Sequence, residues 1–283
     1  MNLKMLFSFV SVFSLLLVLA GSDVRAEESE AAVSTTPAKQ AGQPGDLDYI
    51  LKKYVDSEFF KYKELKANKK DHARFERFME WQANADVKSM SREDQVAFYI
   101  NAYNSCSIKA ILDHYPVHTP LDVDGFFDKL KFKVGGEMLK LGGSDGDSME
   151  YDRLIANYGD MRAHFAVVCA DRGCMSLKNG AYTGKSLDKD LEAAAKRFVG
   201  DERHFKVDKE KKEVHISKIF EWYGPKFLKD TKRPVPKDKP ELYLLNWVDD
   251  ETRAFLVGGD YELKIIEWSW TLNEKATLNE KAK

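Results

Sequence analysis

Ser91-Arg92-Glu93-Asp94-Gln95-Val96-Ala97-Phe98-Tyr99-Ile100-Asn101-Ala102-Tyr103-Asn104, continuing through Cys106 and Ile111 to His114, is the stretch that decides the fold. Ser91 has the short hydroxyl side chain of an N-cap, and Asp94 stands at the third position beyond it, a near relative of the capping box. Pro116 helps to terminate the helix. Between these signals lies the most apolar segment downstream of the N-terminal leader, so the pattern predicts a central buried helix.

Outward from it, the N-terminal side offers a short amphipathic helix over Leu47 to Val55. A second runs from His72 to Asn84, with Phe75, Phe78, Met79 and Trp81 largely on one face. On the C-terminal side, Leu130 to Val134 and Met138 to Leu141 flank Gly135-Gly136, a hairpin signal. A helix is expected over Met149 to Tyr158. His164 to Cys169 reads as the best buried strand, and Leu187 to Val199 as an Ala-rich helix. A second hairpin is expected from His204 to Val207 and Glu213 to Ile216, then a Ser217-capped helix carrying Phe220, Trp222 and Tyr223. Another helix follows Pro240, and Glu262 to Trp268 closes the order as a strand. Helices outnumber strands and the strands come in hairpins. The expected class is α+β, a mostly helical single domain over residues 47–273 around a small, largely antiparallel sheet, rather than a doubly wound α/β sheet.

The ends read differently. Lys4, the apolar run Leu6 to Ala20 and Val24-Arg25-Ala26 form a secretory signal pattern with cleavage expected after Ala26. The apolar run is short of the roughly 20 residues that span a bilayer core. Ser22 stands where a lipoprotein would need its cysteine. A periplasmic or secreted product without stable membrane insertion is the expectation. Glu27 to Asp46, rich in Glu, Ala, Ser, Thr, Pro and Gly, reads as a flexible tether. Thr271-Leu272-Asn273-Glu274-Lys275-Ala276 recurs as Thr277 to Ala282, with residues 274–283 read as a solvated tail.

The chain has 44 basic and 46 acidic residues, and removing the first 26, with Lys4, Arg25 and Asp23, leaves 42 against 45. These charges are interleaved, so no nucleic-acid footprint is present and no nucleic-acid partner is expected. Three cysteines remain in a compartment that favours pairing. Cys106, in the apolar helix, reads as a buried free thiol.

Three stretches together give the chain a resemblance to the bacterial and plant family named domain of unknown function 547. The first is Ser91 to Asn104 with Asp113-His114-Tyr115-Pro116. The second is Gly159-Asp160-Met161-Arg162-Ala163-His164-Phe165-Ala166-Val167-Val168-Cys169 with Gly173-Cys174-Met175-Ser176-Leu177. The third is Ile216-Ser217-Lys218-Ile219-Phe220-Glu221-Trp222-Tyr223-Gly224. The similarity runs over roughly Leu65 to Asn273 and implies an α+β core suggestive of papain-like and transglutaminase-like folds, hence thiol chemistry. The chain departs from the family pattern at Glu150-Tyr151-Asp152, where members often carry Ile-Glu-His. It departs again at Met175-Ser176-Leu177, where members usually carry Pro-Pro-Leu.

The sharpest constellation is His164, Cys169 and Cys174. A nucleophilic cysteine needs a base or positive field and a nearby oxyanion site. For Cys169, Arg172 and the amides around Gly173 are the sequence-level suppliers. On a strand, His164 and Cys169 face opposite sides, so a partner base is sought in His114 or His118. Two readings of Cys169 and Cys174 stand side by side: a structural disulfide, or an active thiol. Asn101 and Asn104, with Glu93 two turns earlier, read either as a polar network tying the helix to loops or as a cleft lining that orients a base or substrate amide. Asp145, Asp147, Glu150 and Asp152 lack the EF-hand order, and no histidine pair has zinc spacing. No metal or cofactor is expected. Trp222, Tyr223, Phe227, Trp268 and Trp270 read as core, with a sugar-stacking platform as the alternative. Two functions follow: a thiol-dependent hydrolase or acyltransferase acting on an envelope peptide or amide, or an envelope binding module with oxidised cysteines.

Overall fold

The computed structural model describes residues 44–275 except 144, 145, 156, 157, 231 and 237, and leaves out the side chains of 151, 152 and 155. The expected leader, most of the expected tether, the second repeat copy, and the side chains of Asp145 and Asp152 lie outside the described residues. The helices are α1 (Pro44–Tyr54), α2 (Tyr62–Ala67), α3 (Lys69–Ala83), α4 (Arg92–His114), α5 (Leu187–Val199), α6 (Ile219–Phe227) and α7 (Asp250–Gly258). The strands are β1 (Val55–Asp56), β2 (Phe59–Phe60), β3 (Phe132–Val134), β4 (Glu137–Leu139), β5 (Phe205–Asp208), β6 (Glu213–Ser217) and β7 (Glu262–Ile266). None of the described helices is long and apolar enough to cross a membrane.

Helix α4 forms as its capping residue and apolar content require. Ser91 Oγ accepts the Asp94 N–H at 3.1 Å, and from Val96 to Leu112 only Tyr99 and Lys109 escape burial. Cys106 is a buried free thiol, approached by Gln82 Nε2 at 3.5 Å. Burial pushes its pKa up, which leaves it unreactive.

The chain is α+β and mostly helical, with its strands in small sheets rather than one. The pairs β1–β2 and β3–β4 are isolated hairpins, and β5–β6–β7 is mixed, antiparallel then parallel. The parallel partner β7 arrives through α6 and α7, a long connection of the kind parallel pairing needs. Its residues Leu263 and Ile265 remain exposed.

Three local expectations are corrected. His164 to Cys169 is not a strand: Met161–Phe165 is a 3₁₀ turn and the following residues pair with no strand. Asp160, whose carboxylate accepts the Arg162 N–H at 3.1 Å, starts that turn and overrides the β propensity of Val167 and Val168. Met149–Ile155 is a π-helix. Lys218, not Ser217, is the N-cap of α6, without a side-chain cap bond, and Ser217 Oγ meets only the Ile219 N–H at 3.4 Å.

Two apolar cores result. One gathers α1, α3 and α4 with Ala166 to Ala170. The other gathers α5, β5, β6 and α6 with Met161, Phe165 and Met175. The backbone passes from the second core to the first between Phe165 and Ala166, and Trp268 packs against both. A site on that crossing is framed by two rigid bodies of side chains.

Candidate functional site

The crossing leads into a loop closed by a disulfide between Cys169 and Cys174. Ala170 inside it has φ +65°, a left-handed conformation that a side chain disfavours and that surrounding contacts must hold. A strap of downstream backbone does so. Ala170 O accepts the Asn273 N–H at 3.0 Å, while the Arg172 and Gly173 N–H groups donate to Thr271 O and Ser269 O at 2.8 Å each. Gly173 is a required glycine, since a Cβ there would lie 2.4 Å from the Trp268 ring. The Cys174 N–H donates to Asp171 Oδ1 at 2.8 Å, and the Cys169 N–H to Cys174 Sγ at 3.0 Å. These amides are therefore committed, and the oxyanion role expected of them is not available in this arrangement.

Asp171 sits beneath the sulfurs. Its Oδ2 lies 3.3 Å from Cys169 Sγ and accepts the Trp268 Nε1–H at 3.2 Å. Burial pushes its pKa up to about 7, against the hydrogen bonds from Cys174, Trp268 and Gly173. Arg172, expected to polarise Cys169, turns away: its guanidinium meets Glu58 at 3.5 Å and lies over the Phe59 ring.

His164 is fixed from both ends. The Arg162 guanidinium, buried against Asp160 at 2.7 Å, anchors the 3₁₀ turn that carries it. Glu150, on the π-helix, lies 3.2 Å from His164 Nδ1 and accepts the Tyr223 hydroxyl at 3.2 Å. Tyr223 stacks on the imidazole, ring centroids 4.4 Å apart. A carboxylate only accepts, so Nδ1 carries the hydrogen and Nε2 is left as an acceptor in the neutral ring. That Nε2 is buried without a hydrogen-bond partner among the described residues.

These groups meet at one cavity of about 290 Å³, lined among others by Glu150, His164, Cys169, Cys174, Tyr223 and Trp268. The aromatic set divides. Phe227 is core, whereas Trp222, Trp268 and Trp270 form a cluster on the cavity wall. Their centroids stand 4.9, 5.9 and 6.1 Å apart, and Trp222 is 39 % exposed.

Of the expected site residues, Cys169 and His164 reach the same cavity, and the strand objection to their meeting falls with the strand. The others stand elsewhere. His114 ends α4, its Nδ1 2.8 Å from Ala110 O and its side chain outside the cavity. His118 lines a separate shallow depression. Glu93 is exposed in the first turn of α4. Asn101 bonds both backbone groups of Tyr182 at 2.9 Å. Asn104 holds Ala166 O and the Val168 N–H at 3.0 and 2.8 Å. Both asparagines thus tie α4 to loops, and Asn104 sets the course of the segment leading to Cys169. Glu150 and Asp171 are the residues the site adds. The first stood in a loop of carboxylates that resembled a solvated turn, and the second lay between the two cysteines.

Donor atoms of Cys169, Asp171 and Cys174 lie within 4.8 Å of one another. Sulfurs joined to each other offer no thiolate, so this set makes no metal site in the oxidised chain. Asp147 is tied to Lys131 and Lys140 at 2.8 and 3.1 Å, and those lysines hold its pKa down at about 2.

Residues 87–199 match the model of a family described as a protein of unknown function, DUF547. No curated protein and no solved structure matches the chain.

Proposed function

From the premise that residues 87–199 are a DUF547 domain, we propose that the chain is a binding module whose cavity receives an apolar or aromatic side chain of a peptide. The observation that carries this is His164 Nε2, a buried acceptor in the neutral ring with no partner among the described residues, in a cavity whose walls are mostly aromatic and aliphatic, with Glu150 the one carboxylate among the lining residues. A buried acceptor costs free energy until something donates to it. A peptide amide N–H beside an inserted ring supplies that donor. A sugar would bring several hydroxyls into a cavity with few groups to satisfy them. The test is tryptophan fluorescence during titration with N-acetylated, C-amidated tripeptides carrying Phe or Gly at the centre. Saturable binding of the Phe peptide is expected, about tenfold weaker in His164→Phe, which keeps ring packing and removes the acceptor. Equal affinity in that variant, or no binding by wild type, refutes the reading.

A second reading, thiol-dependent acyl chemistry, is favoured by one observation: Glu150 orients His164 in the same cavity as Cys169, as a base is oriented beside a nucleophile. It requires the disulfide to open. Hydrolysis of a peptide thioester in reducing buffer, lost in Cys169→Ser, would support it; an inert reduced protein would end it. Export belongs to the same proposal, since a paired Cys169–Cys174 suits an oxidising compartment. Terminal sequencing of protein recovered from the producing cell should begin at Glu27.

A further inference from the structure

We propose that the Cys169–Cys174 disulfide is an exchange centre that accepts electrons from a small-molecule or peptide thiol entering the cavity, with Asp171 as its proton donor. This rests on the cavity admitting a ligand and goes beyond binding to a reaction at its floor.

Three features distinguish this disulfide from a structural staple. Both cysteines line the cavity, so a thiol bound there stands beside their disulfide. Cys174 Sγ already receives the Cys169 N–H at 3.0 Å, a donor that stabilises negative charge on that sulfur once the bond opens. Asp171 Oδ2 stands 3.3 Å from Cys169 Sγ, which puts a buried carboxyl within reach of that sulfur as well as of the loop amide and indole it accepts from. Its pKa near 7 keeps a large fraction protonated at neutral pH. The titratable groups around it do not compete for the role. Burial holds Tyr62 and Tyr103 neutral, and Arg172 is engaged with Glu58.

A thiolate attacks Cys169 Sγ, the Cys169–Cys174 bond breaks, and its electron pair leaves on Cys174 Sγ, where the Cys169 N–H receives it. A mixed disulfide remains on Cys169. A second thiolate attacks the substrate sulfur of that bond, joining the two substrate sulfurs. Cys169 Sγ leaves with the electron pair and takes the proton of Asp171, which becomes a carboxylate. Two substrate thiolates are oxidised to one disulfide, and the protein disulfide is reduced by two electrons.

The experiment uses the folded, oxidised full chain in glutathione buffers of graded ratio, trapped with a maleimide and read by intact mass. The expected result is reversible opening of the disulfide without denaturant, with Cys106 unlabelled, and a glutathione adduct on Cys169 as the intermediate. In Asp171→Asn that adduct should persist about tenfold longer at pH 7, and its rate of loss, referred to the glutathione thiolate present, should no longer fall as pH rises from 6 to 8. Cys174→Ser, which removes the return attack by Cys174 and leaves Asp171 in place, should accumulate the Cys169 adduct in oxidised glutathione and lose it as the buffer is made reducing, and it keeps the test open if the Asp171 variant does not fold. A disulfide that stays closed until denaturant is added overturns the proposal. An adduct on Cys174 rather than Cys169 overturns the assigned order of attack. The peptide titration of the oxidised protein is a separate readout: peptide binding together with a disulfide that glutathione does not open removes only the exchange, and exchange without peptide binding removes only the binding reading.

Discussion

His204 and Asp171 show how a single buried residue sets the response to pH. Among the described residues neither ring nitrogen of His204 has a hydrogen-bond partner, Asp201 stands 3.8 Å away, and burial pushes the pKa down to about 4. Unfolded, an imidazole titrates near 6.5. Between those values the unfolded chain binds more protons, so stability falls as pH drops through the window. Asp171 acts with the opposite sign. Its folded pKa of about 7 exceeds the unfolded carboxyl value of about 3.9, so its contribution is full at low pH and lost as pH rises toward 7. The two slopes oppose each other between about pH 4 and 6.5. His204→Phe, which keeps the stack on Phe198, removes one slope and should gain on wild type by about 3 kcal/mol on going from pH 7 to pH 4. Urea titrations across that range check it; parallel profiles would mean that the imidazole is not held neutral. Arg162 is a second case. Its side chain is 2 % exposed against a fully buried Asp160, so Arg162→Met strands a carboxylate that Lys232 and Arg233 reach only at 3.5 Å. A loss of about 3 kcal/mol is expected, visible as a lower urea midpoint.

At the scale of elements, α4 acts as the ruler against which loops are placed. Asn104→Ala removes two hydrogen bonds to the backbone of 166–168 and should cost about 2 kcal/mol. It should also raise hydrogen exchange at Val168 and Cys169, whereas Asn101→Ala should raise it at Tyr182 alone. Unchanged exchange at Val168 would mean that Asn104 does not set that segment. Helices with clear caps or periodicity were legible in the sequence. Ser91 marked the start of α4, Leu187 to Val199 coincides with α5, and Gly135-Gly136 marked the β3–β4 turn. The reading broke where a short apolar run carried two meanings. Phe165 to Val168 has strand composition, but the Ala166 carbonyl and the Val168 N–H go to Asn104 rather than to a neighbouring strand, a tertiary choice that propensity does not encode. A helix over Met149 to Tyr158 was legible, but the π form of Met149–Ile155 has no simple periodic signature, so the placement of Glu150 that follows from it was not.

Across the whole molecule, the cavity is assembled from stretches near residues 150, 164–174, 222–223 and 268–270. Sequence reading found chemically capable residues one at a time. It could not find their assembly, because nothing local connects Glu150 to His164 or Asp171 to Trp268. The tryptophans, read as core at their spacing, stand on the wall because the strap carries two of them past the cysteine loop. Trp268→Ala removes the ring against which Gly173 packs and the N–H that Asp171 accepts. It should lower stability by about 3 kcal/mol and abolish peptide-dependent fluorescence change, while a variant at exposed Val257 should do neither. The strap also sets an order of events. It meets the loop across a separation of about 100 residues, a contact that must wait on chain closure. In a polypeptide delivered amino end first, both cysteines therefore emerge well before Ser269, Thr271 and Asn273 arrive to frame them, and the pocket is among the last features to take shape.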